Sequence, residues 1–346
     1  MAKGDRLASE RKFIEDEKTG AKIVKLTSFP TMHENLYMHD NCFTPDGKTL
    51  VFRTLRRLER GAPYDLFEVD TDGQNLVQIT EGDVGGPLVS PVENALFFTR
   101  DKRLIKMELD SLKEEDICGF PDGVASCGGP SMTYNGKYYV AQATTNKGEG
   151  GAVRFKTDGS EAVLAFSRPG FMSHLQCEPV KAEIIAYQTE PDEAHRNIRL
   201  VDLGGANDRP LELYYGNGHW MWHGPTGRIM SAREFVRGVA VFGEGDAEND
   251  TITTLPAWHS GSSRDGKWVV SDTNWPDIGI VLTNSETKKS EVLCLSKGSN
   301  CHPQWTHPHP GFSPDAKTVV FKSDVTGHPD VYIVSVPDDM RERLSR

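Results

Sequence analysis

The sequence predicts an all-β fold: a seven-bladed β-propeller of four-stranded blades, closed by a strand from the N-terminus. Three observations predict it. First, a Pro-Asp-Gly-like turn between apolar strands starts at residues 45, 91, 134, 179, 225, 264 and 314, at spacings of 46, 43, 45, 46, 39 and 50 residues. Seven copies at such a period are the mark of propeller blades. Second, the 33 glycines and 20 prolines are scattered throughout and no long stretch has helical periodicity, as a chain of short strands and turns requires. Third, the last copy ends one strand short at Asp330-Val331-Tyr332-Ile333-Val334-Ser335-Val336. The opening strand resembles an outermost strand and would complete that blade, removing an exposed sheet edge.

In chain order, residues 1–20 are charged and read as surface, and residues 21–346 read as one propeller domain. Ala21-Lys22-Ile23-Val24-Lys25-Leu26-Thr27 is the closing strand, with a relative at Asn75-Leu76-Val77-Gln78-Ile79-Thr80. The clearest repeat is Cys42-Phe43-Thr44-Pro45-Asp46-Gly47-Lys48-Thr49-Leu50-Val51-Phe52, where turn chemistry sits between β-branched and aromatic strands. The later turns are degenerate: Pro91-Val92-Glu93-Asn94, Tyr134-Asn135-Gly136, Pro179-Val180-Lys181, Pro225-Thr226-Gly227, Arg264-Asp265-Gly266 and Pro314-Asp315-Ala316.

A net charge of -11 and a pI near 5.5 argue against nucleic acid as the main partner, because phosphate binding needs a basic face. No apolar run is long enough to cross a bilayer, and the charged start has no apolar core of a secretory signal. The six cysteines form no Cys-x-x-Cys pair, which fits reduced thiols and a cytoplasmic location.

Histidine falls at one phase of the repeat. His174, His259 and His309 each lie five residues before a turn, His219 six before and His307 seven before. All five fall at the entrance of innermost strands, in four consecutive blades, where they should crowd one mouth of the central channel. His39 and Asp40 hold the same phase in the first blade. Gly86 and Gly129 hold it in the second and third, where open space is expected. A lone histidine in a strand is more often packed than functional, but five in phase point to a metal or catalytic centre. Trp220, Trp222, Trp258 and Trp305 flank these positions and either stack on sugar faces or pack the core.

With these residues placed, the chain resembles the oligogalacturonate lyases. The resemblance rests on Gln304-Trp305-Thr306-His307-Pro308-His309-Pro310, on Phe312-Ser313-Pro314-Asp315 and on Ser323-Asp324-Val325-Thr326-Gly327-His328-Pro329. Weaker matches are Ser173-His174, His219-Trp220-Met221-Trp222 and His259 followed by Arg264-Asp265-Gly266. It implies a manganese-binding cytoplasmic propeller that cleaves short pectin oligosaccharides by β-elimination. By position, His259, Gln304, His307 and His309 match the metal ligands and His219 the catalytic base. Arg196 matches the substrate arginine, with Arg199 as its competitor, and His174 falls among the substrate contacts. Two departures touch the substrate side. The strand after His174 ends Ala186-Tyr187-Gln188-Thr189-Glu190-Pro191 without the family's second histidine, and the third blade is short.

The chemistry expected of such a site is removal of the C5 proton of a uronic acid, α to its carboxylate. A divalent cation on that carboxylate stabilises the charge that builds up. Three histidines and an amide oxygen leave room for further oxygen ligands, which suits Mn²⁺, whereas a closed structural zinc site is the competing account. Two rival functions share the repeats: a lyase for a different uronide, and a non-catalytic docking platform like TolB. A prolyl-oligopeptidase-type enzyme is disfavoured, because no Gly-x-Ser-x-Gly elbow is present.

Overall fold

Seven antiparallel sheets follow one another around a ring in the computed structural model, which describes residues 1–57, 59–190, 197–211, 219–232 and 237–346. Blade 2 shows the plan: Gly85–Val89 is innermost, followed outward by Ala95–Arg100, Arg103–Glu108 and Glu114–Gly119. Innermost strands of blades 3 to 6 are Val124–Met132, Ser173–Cys177, Trp220–Trp222 and Ala257–Ser262. The seven-bladed expectation holds.

The ring closes as the sequence predicts. In blade 7, Gly311–Phe312, Thr318–Ser323 and Asp330–Ser335 are joined by the N-terminal strand Lys22–Lys25, which pairs antiparallel with residues 330–335. The first twenty residues do more than cover surface. Lys12–Glu15 adds a fifth strand to blade 7, and Arg6–Leu7 adds a fifth to blade 1 by pairing with Leu76–Gln78. Blade 1 is otherwise built from His33–Asn35, Thr49–Thr54 and Asp65–Asp70. The sequence reading did not include the short C-terminal helix Asp338–Ser345. It buries Met340 and Leu344, one turn apart, in the cluster of Trp268, Leu282 and Leu293. No helix among the described residues is long and apolar enough to cross a membrane.

The core lies between blades. Each junction has its own apolar cluster; at the closure, Val320, Val331 and Ile333 of blade 7 pack on Phe43, Phe52 and Phe67 of blade 1. The turns that mark the repeat are rigid for a chemical reason. Thr44, Thr133, Ser263 and Ser313 each donate a hydroxyl to the Asp or Asn two residues on, at 2.6–2.8 Å. That carboxylate or amide oxygen then accepts the backbone N–H of Lys48, Lys137, Lys267 or Lys317.

Closure is also held by a buried ion pair. Lys25 Nζ lies 2.6 Å from Asp330 Oδ2, with side-chain exposures of 4% and 0%. Thr27 donates to Oδ1 (2.9 Å) and Thr326 to Oδ2 (2.6 Å) of the same carboxylate. His33 and His328 complete the surroundings, 4.0 and 3.5 Å from it.

Candidate metal centre

The in-phase histidines meet at one mouth of the channel. Ring centroids of His259 and His309 are 3.9 Å apart, those of His259 and His219 4.2 Å, and those of His259 and His307 5.3 Å. His174 stands 6.2 Å from His219. His259, His307 and His309 are buried.

The backbone delivers them at a cost. Gly86, Gly129, His174 and His309 all occupy the fifth position before their turn, and all have left-handed φ, of 55°, 53°, 49° and 46°. Blades 2 and 3 meet this conformation with glycine, which adopts it freely, while blades 4 and 7 put an imidazole there. This corrects the expectation of open space at Gly86. A Cβ there would meet the Tyr139 hydroxyl at 2.6 Å, and that hydroxyl donates to Gly86 O. Gly129 is freer, with Gln142 Cβ its nearest neighbour at 3.7 Å.

The hydrogen bonds set the tautomers. His259 Nδ1 lies 2.9 Å from Asp272 Oδ2, and His259 N donates to Asp272 Oδ1 at 2.7 Å. His309 N also donates to Oδ2 (3.2 Å). With Nδ1–H given to the carboxylate, His259 Nε2 carries its lone pair, and that atom is buried without a partner. His309 Nδ1 faces the His307 carbonyl at 3.0 Å, and His307 Nε2 faces the Asn300 carbonyl at 3.2 Å. A carbonyl only accepts, so each of these nitrogens is an N–H donor and the other ring nitrogen keeps a lone pair. Three imidazoles are thus locked in the state that binds a cation, each by an oxygen acceptor behind it. Ligand atoms of His259, Asp272 and His307 lie within 4.8 Å of one another.

Charge points the same way. Burial pushes the pKa of His309 far down and that of His307 down, so both stay neutral. Burial works to raise that of Asp272, but the His259 imidazole and the bonds from His259 hold the carboxyl below its ordinary range. No lysine or arginine among the described residues lies within 4.0 Å of Asp272. A buried carboxylate with no lysine or arginine in range, beside neutral His307 and His309, is a site with an unmet demand for a cation. The residues present fit a divalent metal.

Beside this group sits His219. Burial first, then the neighbouring His259 and His174 imidazoles, push its pKa down to about 3; burial, then His39, takes His174 to about 4. The Tyr37 hydroxyl lies 3.2 Å from His219 Nδ1, and its ring is 5.1 Å from His309 and 6.0 Å from His174. Trp258 borders His219 at 5.4 Å and packs edge-on against exposed Trp275.

The other candidates divide. Gln304 lies in the exposed loop 301–305, where its backbone carbonyl accepts from the buried Lys322 ammonium. Burial lowers the Lys322 pKa to about 8. Arg199 turns away: its Nε and Nη2 both bond Asp208, and none of its hydrogen bonds reaches the histidines. Arg196 lies outside the described residues. Trp220 and Trp222 are core, whereas Trp305 stacks on His302 in the exposed loop at 4.1 Å.

Asp272 and Tyr37 escaped the sequence reading. A signal for Asp272 exists. The eighth residue after the turn start is polar in five of the second strands: Arg53, Thr99, Gln142, Asp272 and Lys322 share one phase, which Tyr187 holds in blade 4. Tyr37 had no repeat counterpart to mark it.

A family model described as oligogalacturonate lyase matches residues 1–137 and 295–340. An oligogalacturonate lyase of Dickeya dadantii (strain 3937) is 24% identical over 403 aligned residues, covering 98% of this chain and all of the relative. An oligogalacturonide lyase of Pectobacterium atrosepticum is 23% identical, over 98% of this chain and 100% of its own. Both alignments are longer than the 346 residues here, so the relatives carry residues that this chain lacks. Among solved structures, an oligogalacturonate lyase in complex with manganese superposes with a TM-score of 0.83 at 22% identity, covering 99% of this chain and 100% of that one. A second, from Vibrio parahaemolyticus, gives 0.82 at 22% identity over 98% of this chain and 100% of its own.

Proposed function

The chain belongs to the oligogalacturonate lyase family, and on that premise we propose that it cleaves short oligogalacturonides by metal-assisted β-elimination, leaving an unsaturated uronate. The observation that carries this reading is the buried Asp272 carboxylate among imidazoles whose lone pairs are held free. His259, His307 and His309 would hold the ion, with Gln304 from the neighbouring loop as the expected amide ligand. Manganese is the metal named for the similar solved structure. Bound there, Mn²⁺ would act as a Lewis acid toward the carboxylate next to the reacting carbon.

The chain's own residues carry the proton. His219 is neutral and buried, and with Nδ1–H directed at the Tyr37 oxygen its Nε2 holds the lone pair. In the elimination the C5–H bond breaks and its proton passes to His219 Nε2. The electron pair forms the C4=C5 bond, the C4–O bond breaks, and the leaving oxygen takes up a proton. Burial makes His219 a weak base at about 3, and the carboxylates of a uronide would raise that value against the lowering that a bound dication would exert. Arg196 is the proposed clamp on a substrate carboxylate, by two parallel hydrogen bonds. Tyr37 and Trp258 bound the space around His219.

A second reading is a lyase for a different uronide. The missing second histidine after residues 184–188 and the residues present only in the relatives favour it.

Ultraviolet absorbance during incubation with digalacturonate and Mn²⁺ tests both. A rise that a chelator abolishes is expected. No rise with stoichiometric Mn²⁺ transfers the reading to another uronide, and neither rise nor metal removes the lyase reading. His219→Ala should lower turnover about 10²–10⁴-fold or more with metal content intact. His309→Ala should lose both.

A further inference from the structure

Five of the seven turns begin with proline: Pro45, Pro91, Pro179, Pro225 and Pro314. The two exceptions are Tyr134 in blade 3 and Arg264 in blade 6. Both stand just past the end of an innermost strand, Val124–Met132 or Ala257–Ser262. They line one cavity of about 80 Å³, together with Leu88, Met132 and Met221, and both also line an adjoining one of about 90 Å³.

Arg264 crosses from blade 6 to blade 2, where Nη1 donates to Pro91 O at 3.2 Å. Its Nη2 is buried and has no partner. No carboxylate among the described residues lies within 4.0 Å of the guanidinium. The nearest in sequence, Asp265, is committed to its own turn through Ser263 Oγ and Lys267 N. Asp40, on the adjoining cavity, faces His39 Nδ1 at 2.9 Å. Arg264 is half-buried and a guanidinium keeps its charge, so its unpartnered N–H group presents a positive charge and a free donor to the cavity.

We propose that Arg264 and Tyr134 form a binding site for a small monovalent anion, chloride being the abundant candidate, inside the propeller channel. Nη2–H and the Tyr134 hydroxyl are the two donors. One fixed positive charge matches one negative charge. Leu88, Met132 and Met221 make part of the wall, and Asn41, Ser131 and Gln176, also on it, spend their hydrogen bonds on the chain, which suits a weakly hydrated halide better than phosphate. The site takes its donors from no histidine, although His39 lines both cavities and Tyr37 one of them, and it stands whether or not the lyase reading does.

Bromide is the probe. Crystals of the full chain grown in sodium bromide should show an anomalous peak within hydrogen-bond distance of Arg264 Nη2, lost in Arg264→Met. In solution, the melting temperature should rise with bromide relative to isethionate at equal ionic strength, as mass action requires for an ion bound only by the folded state. That rise should vanish in Arg264→Met and shrink in Tyr134→Phe. Should the methionine variant fail to fold, the wild-type crystals and Tyr134→Phe decide. Water alone beside Nη2 in bromide crystals, or equal melting in both salts, overturns the proposal.

Discussion

Two buried aspartates, each ringed by histidines, do opposite jobs in this molecule. Asp330 is met by Lys25, Thr27 and Thr326, with His33 and His328 beyond. Asp272 is met by His259 N, His259 Nδ1 and His309 N. In the first the ammonium cancels the carboxylate, and the group joins the N-terminal strand to the last blade. In the second no ammonium or guanidinium among the described residues is in range, His307 and His309 are neutral, and a buried ring nitrogen of His259 has no partner. Histidines around a buried acid therefore do not by themselves signal a metal. The decisive difference is the fixed cation, which Lys25 supplies at Asp330 and no lysine or arginine among the described residues supplies at Asp272.

Removing the lysine gives the largest expected effect. Lys25→Met leaves the Asp330 charge uncompensated at 0% exposure, and breaking a buried pair this way costs about 3–5 kcal/mol. Denaturant melts should show that loss, while Mn²⁺ affinity by calorimetry stays at the wild-type value. A loss under about 1 kcal/mol would mean that strand pairing alone closes the ring, as for an exposed pair. A changed Mn²⁺ affinity would mean that the two groups are coupled.

Asp272→Asn is the matching change at the other aspartate. The amide still offers an oxygen to the backbone N–H groups but withdraws the negative charge and the strong acceptor behind His259. Loss of such a carboxylate typically lowers metal affinity about 10–100-fold, or about 1.4–2.7 kcal/mol. Titration with Mn²⁺ checks it, and unchanged affinity would show that the carboxylate charge does not hold the ion. The comparison is sharpest if Lys25→Met alters stability alone and Asp272→Asn alters mainly affinity.

Most of the fold and about half of the site were legible in the sequence, for different reasons. The blades repeat, so a turn chemistry as local as Ser263–Asp265 or Ser313–Asp315 announces itself seven times in degenerate form. The closing strand was readable because the last blade lacks one. The histidines were readable because they share a phase. Asp272 shares a phase as well, but with Thr99 and Gln142 it looks like ordinary strand polarity. Its role comes from a contact across two blades, to His309 of the next one. Tyr37 lies in a non-repeating connection, and only the folded ring brings it to His219. Residues 12–15 carry too few apolar side chains to read as a strand, and their pairing depends on the strand beside them.

The smallest effect concerns backbone strain, and it divides a functional position from an idle one. Asp101 and Lys102 turn the hairpin between Ala95–Arg100 and Arg103–Glu108 with φ of 51° and 59°, the conformation that glycine takes most easily. Lys102 is exposed and its side chain makes no hydrogen bond among the described residues. Lys102→Gly should therefore stabilise the fold by about 0.5–1 kcal/mol, relief of left-handed strain exceeding the added freedom of the unfolded chain. Thermal melts should show a slight rise with turnover unchanged. His174 has the same kind of strain at φ 49°, in a position where blades 2 and 3 use glycine. His174→Gly relieves it too, yet removes an imidazole from the mouth, so melting should hold while turnover falls. Equal turnover in the two variants would show that the left-handed histidine of blade 4 is an accident of the repeat, and would leave His309, buried and bonded to Asp272, as the one strained histidine that the centre requires.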